Sequence, residues 1–438
     1  MKTNPHIVIV GGGAGGIELA TRLGDTLGRR DRAQITLVDS SLSHLWKPLL
    51  HEVAAGTLDA QRDSLAYLAQ ASAHHFRFQF GRFDGLDRKQ KQIHLAALPG
   101  SNGGELVPPR TLQYDWLVIA VGSITHDFGV PGAAEHTLFL DSNRQAEGFQ
   151  RRLMGAFLRA QQRAGPREPG ELSIAIVGGG ATGVELAAEL RSAAHKAVAY
   201  GFDRIDPERD LNIVVVEAAE RLVPVLSPRV SLKARQQLEK LGVRVLTGTQ
   251  VTEVTGEGMM TDSGEFIPAE LRVWAAGIKA PDFLAGLDGL EVNKRNQLWV
   301  RPTLQTTVDP DVYALGDCAA CPLQEGSDEI VPPRAQAATQ QATYLAKTLR
   351  QRLEGQPSGA YVYRDRGSLI ALSDRSAVGR LMGNLLGSVM IEGFMARLAY
   401  KSLRLTHEQH LHGTLPVVAT LVAERLTRGT THPRLKLH

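Results

Sequence analysis

Ile7-Val8-Ile9-Val10-Gly11-Gly12-Gly13-Ala14-Gly15-Gly16-Ile17-Glu18-Leu19-Ala20 returns, nearly copied, as Ile174-Ala175-Ile176-Val177-Gly178-Gly179-Gly180-Ala181-Thr182-Gly183-Val184-Glu185-Leu186-Ala187. Each copy is a β-branched apolar run, then glycines at the G-x-G-x-x-G spacing, then an alanine- and leucine-rich helical stretch. That is strand, tight turn, helix. Gly11 and Gly178 permit the turn, Gly13 and Gly180 let a pyrophosphate approach the backbone, and Gly16 and Gly183 let helix and strand pack closely. Phosphates would then meet free N–H groups at the positive end of a helix, over Gly12-Gly13-Ala14-Gly15 in the first copy. In each unit a second strand ends in an acid that can accept ribose hydroxyls. Ile35-Thr36-Leu37-Val38 runs into Asp39 and Ser40, and Ile213-Val214-Val215-Val216 into Glu217. The gap before Glu217 exceeds the usual ~20 residues, which is read as a helical, charged insertion at about 191–210. Two glycine-rich turns without ligands are the bland alternative, but two complete patterns favour two bound dinucleotides.

At 438 residues the chain has material for two to three domains. A formal charge of +3 is close to balanced and gives no compositional support for nucleic-acid binding. The N-terminal residues enter the first strand almost at once, with an apolar run too short for a secretory signal, so a cytosolic start is expected. The chain's two cysteines, Cys318 and Cys321, exclude a disulfide framework. Two thiols alone lack the ligands for a metal site, and none is expected. As a redox pair they would sit after a Gly-Asp pair rather than beside a flavin ring, so a structural role is favoured.

After Asp39 the stretch His44-Leu45-Trp46-Lys47-Pro48-Leu49-Leu50-His51-Glu52 either covers the reactive end of a cofactor or packs as a long connection. For Lys47 the two readings stand level; for Trp46 packing is favoured. Residues 76–83 and 92–95 read as strands, with a hairpin tip at about 99–110. Leu117-Val118-Ile119-Ala120-Val121-Gly122-Ser123 and Leu271-Arg272-Val273-Trp274-Ala275-Ala276-Gly277 are matching strand-to-glycine endings, which makes the halves internal repeats. A basic linker at about 163–170 separates them. Val312-Tyr313-Ala314-Leu315-Gly316-Asp317 reads as the return to the first domain, its carboxylate placed for a sugar-alcohol hydroxyl. In the helix that follows, starting near Ala335, Gln336 and Gln340 share one face. They either hold a quinone carbonyl or form a polar face. Residues 381–391, 394–405 and 415–426 are apolar and flanked by Arg and Lys. No run approaches the ~20 apolar residues that span a bilayer, but such faces fit helices lying in a membrane interface; a homodimer interface is the alternative. From Leu385 to His438 seven Arg or Lys stand against three acids.

Together the paired motifs, the Gly-Asp pair and the Ala335-Gln336-Ala337-Ala338-Thr339-Gln340 helix resemble the type II NADH dehydrogenases, single-subunit NADH:quinone oxidoreductases that do not pump protons. The likeness covers nearly the whole chain. The loop 44–54, the stretch 273–281 and the tail Pro433-Arg434-Leu435-Lys436-Leu437-His438 resemble the bacterial respiratory branch. The resemblance implies an α/β fold with two Rossmann-type dinucleotide-binding domains, glutathione-reductase-like, plus a C-terminal membrane-associating module. It places an FAD domain at 1–125 and 290–350, an NADH domain at 126–289 and the membrane module at 351–438. It implies non-covalent FAD on Gly11, Gly12, Gly13, Ala14, Gly15, Gly16, Asp39, Ser40, Lys47, Gly122, Gly316, Asp317, Ala335 and Gln336. It implies NADH as substrate on Gly178, Gly180, Gly183 and Glu217, with Glu185 near the nicotinamide and a quinone site around Gln336 and Gln340. The expected setting is peripheral, on the cytoplasmic face of the bacterial inner membrane, held to an anionic surface by C-terminal helices.

The expected chemistry is hydride transfer from NADH to flavin, then two electrons to a membrane quinone, with position and electrostatics supplied by the protein. One alternative is another quinone- or ferredoxin-reducing flavoprotein of this fold; a sulfide:quinone reaction would need widely spaced cysteines, which are absent. The other is a non-catalytic redox sensor or partner-binding protein.

Overall fold

A computed structural model describes residues 4–100, 104–163, 171–324, 326–371, 377–383, 387–392, 402, 405–409, 411, 413–427 and 435–436. The chain divides into two compact units. The first holds residues 1–46, 64–124 and 278–364; the second holds 47–63, 125–277 and 365–438.

In the first unit the run His6–Val10 is the centre of a five-stranded parallel sheet, flanked by Trp116–Ile119 and then Val312–Ala314 on one side and by Gln34–Asp39 and then Arg77–Phe80 on the other. A strand covered on both faces must be apolar throughout, and Ile7, Val8 and Ile9 are fully buried. Helix Ala14–Leu23 follows the turn and packs against the long helix Ala335–Leu353. Phe83–Asp87, Gln92–Leu95 and Arg110–Gln113 form an antiparallel sheet, and the expected hairpin closes between Leu98–Pro99 and Glu105–Val107.

The second unit repeats the plan. Leu271–Trp274, Ser173–Val177, Asn212–Glu217 and Val243–Thr247 lie side by side and parallel, in the order their counterparts take in the first sheet. The expected insertion before Glu217 is largely an extension of the glycine-turn helix, which runs Ala181–Ala199, with a short turn at Pro207–Asp210. An antiparallel sheet of Val251–Val254, Gly258–Thr261 and Phe266–Pro268 completes a core around Val214, Val216, Met259 and Trp274. Helices Leu50–Ala55 and Asn143–Gln162 also belong to this unit.

The C-terminal region departs from an all-helical membrane module. Gly367–Ala371, Ala377–Gly383 and Gly387–Glu392 are antiparallel strands, so the stretch at 381–391 is mostly sheet. The reason is visible in the chain: Gly383 and Gly387 break any helical run, and the Val389-Met390-Ile391 segment suits a pleated ribbon. Helix Thr414–Thr427 is present as expected. The linker at 164–170 and most of 394–405 lie outside the described residues, as do Arg428, Pro433, Arg434, Leu437 and His438. Among the described residues no helix is long and apolar enough to cross a membrane.

Candidate functional site

The first glycine turn is held from three sides. Gly11 has φ +101°, and a Cβ there would lie 2.4 Å from the Ala120 carbonyl oxygen; a Cβ on Gly16 would lie 1.8 Å from the Gly11 oxygen. Only hydrogen fits at either place. The Gly12 N–H donates to Asp39 Oδ2 at 2.6 Å, and the Ser41 N–H to Asp39 Oδ1 at 2.7 Å. Burial raises the Asp39 carboxyl, while N–H groups of Gly12, Ser41 and Ser40 pull it back down. The Gly12 carbonyl accepts Tyr67 OH at 2.7 Å and lies 2.9 Å from His44 Nδ1. A carbonyl only accepts, so Nδ1 of His44 carries its proton. Burial lowers His44 to about 4, which keeps it neutral.

The remaining first-unit candidates gather at the strand ends. Ser123 Oγ donates to Asp317 Oδ2 at 2.7 Å, which joins the Gly122 and Gly316-Asp317 endings. The Gly316 N–H donates to Gln341 Oε1 at 2.7 Å, and Gln297 Nε2 donates to the Asp317 carbonyl at 2.8 Å. Ser123, Arg295, Gln297, Asp317 and Pro333 line a shallow recess here. Ala335 and Gln336 open the long helix, which has no side-chain cap at Arg334. The Gln340 amide is bonded at both ends to one backbone position: Nε2 donates to the Arg364 carbonyl at 2.9 Å, and Oε1 accepts the Arg364 N–H at 3.0 Å. Cys318 Sγ donates to backbone oxygens of Ile119 and Leu315, both thiols are free, and burial pushes each up to about 12. Neither is disposed to redox work.

In the second unit the same acid-to-turn bond recurs. The Gly179 N–H donates to Glu217 Oε2 at 2.6 Å, and the Ala219 N–H to Oε1 at 2.8 Å. A Cβ on Gly183 would lie 2.0 Å from the Gly178 oxygen, whereas one on Gly180 would meet nothing within 4 Å. That open space matches Gly13 and Gly122 of the first unit, where an added Cβ also meets nothing. Both turns therefore present an uncrowded helix start beside a fixed carboxylate, which fits a dinucleotide pyrophosphate and ribose. Arg221 is turned to its own loop: its guanidinium donates to the carbonyls of Leu226 and Pro224 and to Ser231 Oγ. Lys47 lies 3.5 Å from Asp141 Oδ1, a carboxylate that also accepts the Thr125 N–H and hydroxyl.

The repeats differ at their shared glutamate. Glu18 is fully buried and accepts from Arg22, one turn on, at 2.8 Å and from Thr343 at 3.1 Å. In the second repeat the position one turn on is Glu189, which is 3.7 Å from Lys196. Glu185 Oε1 accepts the Ala371 N–H at 2.9 Å, and its Oε2 is 3.6 Å from His51 Nδ1. Burial, with smaller repulsion from Glu52 and Glu189, raises it to about 8, while burial lowers His51 to about 4. At neutral pH this is a protonated acid facing a neutral imidazole. Glu185 is legible in the sequence as a candidate; Ala371, Tyr67, Asp141 and Gln341 are not. His44 and His51 were visible only as part of a polar loop. Among the described residues no cluster of His, Cys, Asp or Glu suits a metal.

Two glycine turns, each tied to a strand-end acid on its own parallel sheet, define an oxidoreductase that holds two dinucleotides. The family model described as pyridine nucleotide-disulphide oxidoreductase matches residues 5–342. A type II NADH:quinone oxidoreductase of Haemophilus influenzae is 43% identical over 99% of this chain and 100% of its own length. The chain belongs to the type II NADH:quinone oxidoreductases. A relative named NdhA from Mycobacterium tuberculosis, of the same description, is 29% identical over 92% of this chain and 83% of its own. The solved structure of NDH2 from Plasmodium falciparum in complex with NADH shares the fold at a TM-score of 0.80, with 18% identity, over 99% of this chain and 100% of that one.

Linkage fixes how this site should respond to pH. Folding raises Glu185 from an ordinary 4.5 to about 8, so the folded chain binds the extra proton between those values. Its contribution is complete below 4.5 and is lost as pH rises to 8. His51, lowered from 6.5 to about 4, contributes stability above 6.5 that is lost as pH falls toward 4. Glu185→Gln should therefore flatten the fall in thermal midpoint between pH 5 and pH 8, read by calorimetry. Equal slopes in the variant and the parent would contradict the assignment.

Proposed function

We propose that the first glycine turn holds FAD and the second holds NADH, in an enzyme that oxidises NADH and reduces quinone. The observation that supports this most is the repeated pair Gly12–Asp39 and Gly179–Glu217, each beside an open helix start. FAD supplies the hydride acceptor and the relay of two electrons to quinone. Gly13, Ala14, Gly15, Gly122 and the Asp317 carboxylate are the groups that would seat it. Ala335 and Gln336 sit where a helix dipole favours developing negative charge. Gly178, Gly180, Gly183 and Glu217 would seat NADH, with Glu185 near the nicotinamide, holding a proton in a buried place. Gln336 would face the quinone carbonyl. Gln340 would act beside it by fixing the Arg364 backbone.

The same proposal sets the protein against an anionic membrane surface on the cytoplasmic face, without proton pumping. On helix Thr414–Thr427, Leu415, Val418 and Val422 are 83%, 50% and 53% exposed and fall on one stripe. An apolar stripe near basic residues gives interfacial binding that salt weakens without abolishing. Lys436 is taken up by Asp59, 3.1 Å away. A homodimer through the same stripe is the competing reading.

Glu217 should accept the ribose 2′-hydroxyl and repel a 2′-phosphate, and Arg221 is engaged elsewhere, so NADPH should give a kcat/KM lower by roughly 100-fold. Stopped-flow bleaching of the flavin by each nucleotide, followed by quinone, measures both half-reactions. Comparable efficiency for the two nucleotides contradicts the Glu217 assignment.

Changing Leu415, Val418 and Val422 together to Glu should leave bound flavin unchanged and free the protein from anionic liposomes in a flotation assay. Retained flotation with loss of a dimer in sedimentation would assign the stripe to a partner copy instead.

A further inference from the structure

His51 reaches Glu185 from a helix too short to hold its own shape. Leu50–Ala55 is six residues long, and an isolated helix of that length is not stable in water. It packs against Asn143–Gln162 and Ala181–Ala199, and it ends at Gly56 in the left-handed conformation, φ +77°. That turn is gripped by the end of the chain. The Gly56 carbonyl accepts the Lys436 N–H at 2.7 Å. The Lys436 carbonyl accepts Gln150 Nε2 of the long helix at 2.6 Å, and Lys436 Nζ lies 3.1 Å from Asp59. Leu435 beside it is 1% exposed. These two residues make a backbone bond, a side-chain bond, an ion pair and a buried apolar contact. A Cβ on Gly56 would come within 3.3 Å of the Lys436 carbonyl oxygen, so glycine is what lets the tail seat.

We propose that Leu435 and Lys436 are positioning residues for the reaction: they latch the His51 helix in place and so set the approach of His51 to Glu185. The proposal rests on the reading of Glu185 as the proton-holding group at the nicotinamide end. The 3.6 Å between His51 Nδ1 and Glu185 Oε2 is just beyond a direct hydrogen bond. Movement of the helix by a few tenths of an ångström therefore changes how strongly Glu185 keeps its proton. Facing Glu185 are His51 and Glu52 from that helix, Glu189 along its own helix, and the Ala371 N–H from strand Gly367–Ala371. Among the described residues that face it, none is an arginine or lysine.

The test compares the full chain, a chain ending at Arg434, Gln150→Leu and Asp59→Asn, each with FAD bound. Flavin content and KM for NADH should stay within about two-fold, while kcat falls about five-fold and the alkaline limb of the kcat profile moves by about half a pH unit. Asp59→Asn, at an exposed position, should move the limb the same way by less. Gln150→Leu or Asp59→Asn with flavin bound and an unmoved limb overturns the latch, whether or not the shortened chain folds. Glu185→Gln in the same assay separates the two failures. If the limb survives in Glu185→Gln, the reading of Glu185 is wrong; if it disappears there and the tail variants leave it unmoved, only the latch is wrong.

Discussion

A carboxylate at the end of one strand accepting the N–H of the neighbouring glycine turn is the interaction on which the rest depends. Asp39 does this for Gly12 and Glu217 does it for Gly179, each at 2.6 Å. A charge-assisted bond of that length fixes the turn before any ligand arrives. Each carboxylate spreads backbone N–H groups over both of its oxygens, Gly12 and Ser41 on Asp39 and Gly179 and Ala219 on Glu217, and a carboxylate has lone pairs beyond these for a sugar hydroxyl. The close packing at Gly11, Gly16, Gly178 and Gly183 serves the same end, since any side chain there would push the turn off its acid.

Two copies of one device have been given different work. In the first unit the buried glutamate of the helix meets Arg22 and becomes part of the scaffold; in the second it meets His51 and keeps its proton. The glycine turns diverge similarly. The Gly12 carbonyl is braced by side chains, Tyr67 and His44, whereas the Gly179 carbonyl accepts a backbone N–H, that of Val223, at 2.7 Å.

Much of this was legible in the chain because glycine spacing, β-branched runs and strand-end acids are local demands of the backbone. The two strand-turn-helix units, the strand-end acids Asp39 and Glu217, and the Gly316-Asp317 ending all follow from such patterns. What escaped depends on contacts across long stretches of chain. Tyr67 lies 55 residues from Gly12, and Lys436 lies 286 from Gln150; no periodicity announces either. Gln336 and Gln340 share a helix face as expected, yet only the fold reveals that Gln340 is bonded to Arg364. At 381–391 apolar composition suggested helices, but composition does not distinguish an interfacial helix from a ribbon when glycines divide the run.

Under the proposed function the two turns are separate sites with separate occupants, flavin in the first and nicotinamide nucleotide in the second. Gly13→Val and Gly180→Val test it most directly, because both backbones are extended and an added Cβ meets nothing within 4 Å, so both chains should fold. Flavin absorbance and calorimetric titration with ADP-ribose, a redox-inert fragment of NADH, are read on each. Gly13→Val should be isolated without flavin, while Gly180→Val should keep its flavin and lose ADP-ribose binding. Loss of flavin in Gly180→Val with retention in Gly13→Val would contradict that assignment.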